Sequence, residues 1–260
     1  MQEPTSPVAV VPALDFSGKV VLITGATRGI GAAVAHDLEL AGAELILTGT
    51  NSQVIAERNR DSAERGRRVR YLQVDFSDEA SCESFLGELD RIPRVDVCIN
   101  NAGINKIDPI HDLTVADYDR ITRVNLRAPV LISAVVCSKM RTTGYGRIVN
   151  IASIWSTATK GGRSLYSMTK TGLVGLTRTI AVDMAPYNVL ANAVSPGFTR
   201  TELTESTLSS ADAEALVAQI PMRRFAEPAE MSKVIMFLAS DLNTYLTGQN
   251  IVVDGGFTVV

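Results

Sequence analysis

The chain has 260 residues, of which 46% are hydrophobic and 20% charged, with 25 basic against 28 acidic side chains and a net charge of −3. That balance suits one α/β domain with a sizeable core, excludes disorder, and leaves no basic surface for nucleic acid or an anionic membrane. Cys82, Cys98 and Cys137 are widely spaced and form no CxxC pair. This argues against a disulfide framework and a metal site, and for a cytoplasmic protein.

Residues 1–15 carry Pro4, Pro7 and Pro12, and no basic run precedes Val8–Val11. They read as a flexible tail, with 16–260 as one domain. Seven short β-branched or aliphatic runs follow: Val20–Thr24, Glu44–Gly49, Val69–Val74, Val95–Asn100, Arg147–Ile151, Val189–Val194 and Asn250–Val253. Between them lie helical patterns at Gly29–Ala41, Ser52–Arg65, Asp78–Asp90, Val115–Arg141, Leu165–Ala185, Thr201–Ile220 and Pro228–Ser240. Alternation of this kind predicts a parallel sheet, doubly wound and covered by helices on both faces. The longest apolar runs, such as Pro129–Cys137, fall short of the ~20 residues of a membrane span. The segment around 199–220 is rich in Thr, Ser, Glu and Ala and reads as a lid.

The first strand runs into Thr24–Gly25–Ala26–Thr27–Arg28–Gly29–Ile30–Gly31 and then directly into a helix. Glycines there let a backbone approach a pyrophosphate, and the helix N-terminus offers unpaired N–H groups. The spacing GxxxGxG also fits a purely structural β-to-α turn. At the end of the second strand, Gly49–Thr50–Asn51 offers no carboxylate to a ribose. Arg28 is either a guanidinium for a 2′-phosphate or a solvated loop residue; the first reading predicts NADP(H), with NAD the lesser alternative.

Tyr166 and Lys170 stand four apart in a helical pattern and so share a face. An ammonium beside a phenol draws its pKa down from about 10 and makes it a usable acid or base. Ser153 follows an apolar strand, Asn100–Gly103 ends another, and Asn125 is a lone amide among apolar neighbours. Asn125 is either a satisfied buried amide or part of a proton path.

Taken together, the Thr24–Gly31 loop, Asp75, Asn100–Gly103, Asn125, Ser153, Tyr166, Lys170, Ser195–Pro196–Gly197, Leu246–Thr247–Gly248 and Asp254–Gly255–Gly256 resemble the short-chain dehydrogenase/reductase family from about Asp15 onward. Within it the chain is most similar to 3-oxoacyl-(acyl-carrier-protein) reductases. The resemblance implies a Rossmann-type fold and a family habit of homodimers or homotetramers. It implies Tyr166 as proton donor or acceptor and Lys170 on the nicotinamide ribose, lowering the tyrosine pKa. Ser153 would hold the substrate oxygen, and Asn125 a water that relays protons. Asp75 and Phe76 would contact the adenine side, Asn101 with Ala102 and Gly103 the ribose, and Pro196, Gly197, Phe198 and Thr199 the nicotinamide. Two departures stand out: Arg223 where glycine is common, and Leu190 where a basic residue is frequent.

Asn105, Lys106, Trp155, Lys160 and Arg163 fall in the stretches that vary with substrate. Their charges predict an anionic or carrier-bound carbonyl substrate, or else a solvated rim. Trp155 is either a cap on the pocket or packing beneath the lid. Three function classes compete: an active carbonyl reductase or alcohol dehydrogenase acting on a 3-oxoacyl thioester, sugar, polyol or keto acid; a cofactor-binding sensor without turnover; and a sugar-nucleotide epimerase. The complete Asn125, Ser153, Tyr166 and Lys170 set favours the first over the second. The short stretch after the last strand disfavours the third.

Overall fold

The aliphatic runs become seven strands: β1 (Val20–Ile23), β2 (Glu44–Gly49), β3 (Val69–Gln73), β4 (Val97–Asn100), β5 (Gly146–Ile151), β6 (Val189–Pro196) and β7 (Asn250–Val253). They form one parallel sheet in the order β3-β2-β1-β4-β5-β6-β7 in this computed structural model, which describes residues 14–201 and 210–260. Most of the expected tail (1–13) and positions 202–209 of the expected lid lie outside the described residues. Every residue of β5 and β6 is buried, because both strands lie inside the sheet and helices cover both faces.

Alternate strand residues feed two cores. Val21 and Ile23 point to a cluster built with α1 (Gly29–Leu40) and the last helix of the chain; Leu22 and Ile148 point to the opposite cluster. On that opposite side lie α3 (Glu79–Arg91) and the two central helices that flank Asn125 and Tyr166. Helix starts carry local chemistry. Asn51 accepts from Gln53 N and Val54 N (3.0 and 3.1 Å) to cap α2 (Ser52–Glu64), and Asp78 accepts from Ser81 N (2.7 Å) to cap α3.

The helix expected over Val115–Arg141 is not regular. α4 (Val115–Thr122) passes through a π-helical turn at Arg123–Arg127 into α5 (Ala128–Thr143). A π-turn inserts one residue into the helical repeat, which periodicity cannot reveal because the apolar face resumes on either side. The continuous segment Val115–Thr143 is long enough, and with a mean hydropathy of 1.3 apolar enough, to cross a membrane by length and composition. Val124, Ile132, Val136 and Met140 are nevertheless buried against the sheet, as in the core helix of a globular domain. α6 (Ser164–Met184) lies beside it, and α7 (Ser210–Val217) covers less than the Thr201–Ile220 pattern. α8 (Pro228–Ala239) packs on α1. Arg223 holds φ +54°, the left-handed region that glycine occupies freely, which gives the physical reason for glycine at this position in the resemblance.

β1 lies between β2 and β4, so the chain winds away in opposite directions on either side of it. A crevice opens beyond the carboxyl ends of β1 and β4 at this switch point. The α5 side chain Ile132 is fully buried in that support. Ile132→Ala is expected to lower unfolding stability by about 2–5 kcal/mol in urea titrations, against within about 0.5 kcal/mol for exposed Arg141→Ala.

Candidate active site

Above the switch point the backbone is locked from two strands at once. Thr24 Oγ1 accepts from Asn101 N and Ala102 N (both 3.0 Å), while Asn101 Nδ2 donates to the carbonyls of Thr24 (3.0 Å) and Gly25 (2.9 Å). Gly25 N donates to Thr48 Oγ1 (3.1 Å), tying in β2. The approach is so close that a Cβ on Gly31 would lie 2.5 Å from both Asn101 Nδ2 and Gly25 O, and one on Gly25 would lie 2.9 Å from Ala102 Cα. Arg58 donates to Thr27 O (2.8 Å) and braces the outer side of the loop. α1 begins here with no side-chain cap, unlike α2 and α3, and with no acid in its first turn. Its first N–H groups and dipole therefore face the crevice.

The crevice is a cleft of about 870 Å³. Along it lie Gly25, Thr27, Arg28, Gly29, Ile30 and Thr50 from the loop side, and Asp75 and Phe76 after β3. Asn101, Ala102 and Gly103 follow β4; Pro196, Gly197, Phe198 and Thr199 follow β6. Ser153, Tyr166 and Lys170 complete the wall. Thr24 and Gly31 stand behind the lining and shape it. The Nδ2 of Asn101, a residue expected on a ribose, donates to the loop carbonyls, and Asn101 itself lines the cleft.

Asn125 takes the position of a satisfied buried amide, one of the two readings open from the sequence. It is fully buried within the π-turn, outside the lining, and its amide accepts from Ile104 N (2.9 Å) and donates to Ile104 O (2.8 Å) and Thr169 Oγ1 (3.3 Å). The π-turn aims this amide at the segment after β4. A Cβ on Gly103 would lie 3.3 Å from Lys170 Nζ and 3.5 Å from Asn125 Oδ1, so both groups come close to the end of β4.

Ser153 accepts from Trp155 N (3.2 Å) and opens a one-turn 3-10 helix (Ile154–Ser156). Lys170 is buried, donates to Ile151 O (2.6 Å), and lies 5.6 Å from the centre of the Tyr166 ring. Burial draws the Lys170 ammonium down to about 8. Burial pushes the Tyr166 phenol up; hydrogen bonding to Ser153 and the charge of Arg163 act the other way. The charge that favours a phenolate here, against the larger effect of burial, is that of Arg163 at the N-terminal boundary of α6.

Trp155 is only 7% exposed, with Phe198 and Phe257 edge-on at 6.2 Å each, so it is a fixed wall and not a flap. Lys106 is removed from the substrate set: its Nζ lies between Asp108 (2.8 Å) and Asp117 (2.7 Å), which neutralise it outside the cleft. Asn105, Lys160 and Arg163 do line the cleft. Thr48 and Arg58 escaped sequence reasoning; a lone threonine inside the aliphatic β2 was the available signal for the first. The Leu246–Gly248 motif is structural, since Asn192 donates to Leu246 O (2.7 Å) and accepts from Gln249 N (3.1 Å) to join β6 to β7.

Residues 25–258 match the family model described as enoyl-(acyl-carrier-protein) reductase. The chain is 36% identical over 245 residues to the 3-oxoacyl-(acyl-carrier-protein) reductase FabG of Aquifex aeolicus, covering 94% of this chain and 98% of that one. Among solved structures, a gluconate 5-dehydrogenase of Burkholderia cenocepacia in complex with NADP and tartrate superposes with a TM-score of 0.87 at 30% identity, covering 95% and 97% of the two chains. A short-chain dehydrogenase/reductase family protein does so at 0.84 and 34%, covering 94% and 100%. The chain belongs to the short-chain dehydrogenase/reductase family of oxidoreductases, which carry out C=O/CH–OH chemistry with NAD(P).

The Lys170 environment has a measurable consequence. Because its folded pKa (about 8) lies below the ordinary lysine value of 10.5, the unfolded chain binds the extra proton between these two pH values, and stability rises with pH across that window. Urea denaturation of wild type and Lys170→Met from pH 7 to 10.5 is expected to show the wild type gaining on the variant above pH 8, and a constant difference below it.

Proposed function

We propose that this member of the family is an NADP(H)-dependent oxidoreductase that interconverts a ketone or 3-oxo group and a secondary alcohol. The observation that supports it most is the convergence of Ser153, Tyr166 and Lys170 on one cleft whose other end is a glycine loop at an uncapped helix N-terminus. The backbone cradle at Gly25, Gly29 and Gly31, which side chains would fill, fits a pyrophosphate. Thr27, Arg28, Thr50, Asp75, Phe76, Asn101–Gly103 and Pro196–Thr199 would hold the rest of the dinucleotide. NADP is favoured because Gly49 cannot carry an acid: its Cβ would fall 2.5 Å from Thr27 Cγ2, leaving Thr50 and Arg28 to face the ribose. The gluconate 5-dehydrogenase neighbour crystallised with NADP.

When bound, the cofactor supplies or accepts the hydride at the reacting carbon. The chain does the remainder. Ser153 hydrogen-bonds the substrate oxygen, where negative charge grows during reduction. Tyr166 gives that oxygen its proton, and takes it back in the oxidative direction. Lys170, held by Ile151 O in a dry pocket, anchors the ribose and reloads the tyrosine. Asn125 fixes the Ile104 segment beside Lys170 and, through a water, passes protons toward it.

The curated relatives named 3-oxoacyl-(acyl-carrier-protein) reductase support a thioester substrate, and the gluconate 5-dehydrogenase neighbour supports a hydroxylated acid. Large apolar side chains exposed on α5, α6 and α8, such as Val130, Met168, Val182 and Phe237, support a homodimer or homotetramer. All three cysteines are free, in keeping with a cytoplasmic setting.

Two measurements test this reading. Tyr166→Phe should bind NADPH with unchanged affinity while turnover of a panel of ketones falls by about 100–10,000-fold, the usual weight of a general acid. Unchanged turnover would remove Tyr166 from the mechanism. Arg28→Ala should raise the KM for NADPH by about tenfold or more and leave the KM for NADH unaltered, since a charge-assisted bond to phosphate is worth about 1.5–3 kcal/mol.

A further inference from the structure

The cleft as a whole has a marked charge imbalance: the cations Arg28, Arg120, Lys160, Arg163 and Lys170 line it, while Asp75 is the one acid among its described lining residues. Within this set Arg163 is distinctive. Its Nε is buried with no hydrogen-bond partner, and its guanidinium carbon lies 5.7 Å from the centre of the Trp155 ring. Burial also lowers its pKa, the mark of a charge held partly out of water without a carboxylate to balance it. A buried donor left unpaired is costly unless something binds to it.

The same cleft holds a second unsatisfied atom of the opposite kind. Asn105 Oδ1 is buried without a donor, and Asn105 lines the same cleft. The two loops that carry these residues are stitched together, with Asp108 N donating to Gly162 O (3.2 Å). Gly162 holds φ +78°, and a Cβ there would sit 3.0 Å from Ile107 Cγ2, so glycine lets the two loops pack this closely. Trp155 is itself wedged by Phe198 and Phe257, so Arg163 stacks on an immobile surface.

We propose that Arg163 and Asn105 form an anion-and-hydroxyl subsite, and that the substrate is a small hydroxylated oxo acid whose carboxylate docks on Arg163 and whose hydroxyl donates to Asn105. Arginine supplies the planar donor pair that a carboxylate accepts, and an amide oxygen accepts from an alcohol. Arg163 stands at the N-terminal boundary of α6, three residues before Tyr166, and both line the same cleft, so a compact molecule would reach both, with its carbonyl at Tyr166 and Ser153. This rests on the reaction proposed above and chooses the hydroxy-acid class over the uncharged acyl chain of a thioester.

Trp155 is the sole tryptophan of the chain, so its fluorescence reports occupancy without turnover. The experiment titrates NADP⁺-saturated protein with glycerate and four- to six-carbon aldonates, each beside its uncharged amide. Wild type is expected to bind at least one acid tenfold or more tighter than its amide. Arg163→Gln should erase that gap while leaving amide binding and NADP⁺ affinity as they were, and Arg163→Lys should restore part of it. Equal binding of acids and amides by wild type, or an equal loss for both in Arg163→Gln, would overturn the subsite. Turnover of neutral ketones with NADPH is measured alongside. Turnover without acid preference sinks the subsite alone; acid preference without turnover of any carbonyl sinks the oxidoreductase reading and leaves the subsite standing.

Discussion

The cleft depends on a reciprocal clasp between two loops. Thr24 receives two backbone N–H groups from the end of β4, and Asn101 returns two bonds to the backbone leaving β1. Each loop alone would expose polar backbone at a point where the sheet has just stopped supplying partners. Joined, they satisfy one another, and the exchange fixes where the glycine loop and the Asn101–Gly103 backbone stand relative to each other. Gly25 and Gly31 follow from the same constraint, since the clasp leaves no volume for a side chain at either. Thr48 extends it to β2, so three adjacent strand ends hold one crevice open.

A second constraint is electrical. The floor beside the clasp is dry enough to draw a lysine down to about 8 and to hold a tyrosine protonated. In so poorly screened a place, small displacements of charge have large effects. Lys170 is steadied by a backbone carbonyl and not by a carboxylate, so its charge remains available to groups in the cleft. Asn125 is spent on holding Ile104, and it is the π-turn that brings its amide to bear. The polar side chains around the reacting centre thus divide into those that face the cleft and those that hold the backbone from behind.

Strand runs and the β-to-α glycine loop were legible in the sequence because burial on both faces demands apolar strands and a tight turn demands glycine. Tyr166 and Lys170 were legible because helical spacing alone puts them on one face. The π-turn was not: apolar residues recur on both sides of it, and only the bond between Asn125 and Ile104 shows why the helix admits an extra residue. The use of Asn101 was hidden for a related reason, since its partners are backbone carbonyls far away in the chain. Lys106 shows the converse error. Its position after Gly103 placed it at the mouth, yet Asp108 and Asp117 claim it, a pairing that depends on how the loop meets α4.

Arg223 carries a trade of a different sort. Its left-handed backbone is strained for any residue with a Cβ, by about 1–2 kcal/mol. Glycine would relieve that strain but would also widen the range of conformations open to the unfolded chain, so part of the gain would be returned. The arginine has a further attachment: its guanidinium donates to Ala218 O, just past the end of α7, where carbonyls lack helical partners and a cation is favoured. α7 contributes Leu216 to the cleft wall. A strained backbone angle at 223 is therefore coupled to the seating of a helix over the cleft, and this chain trades local comfort for an anchored roof.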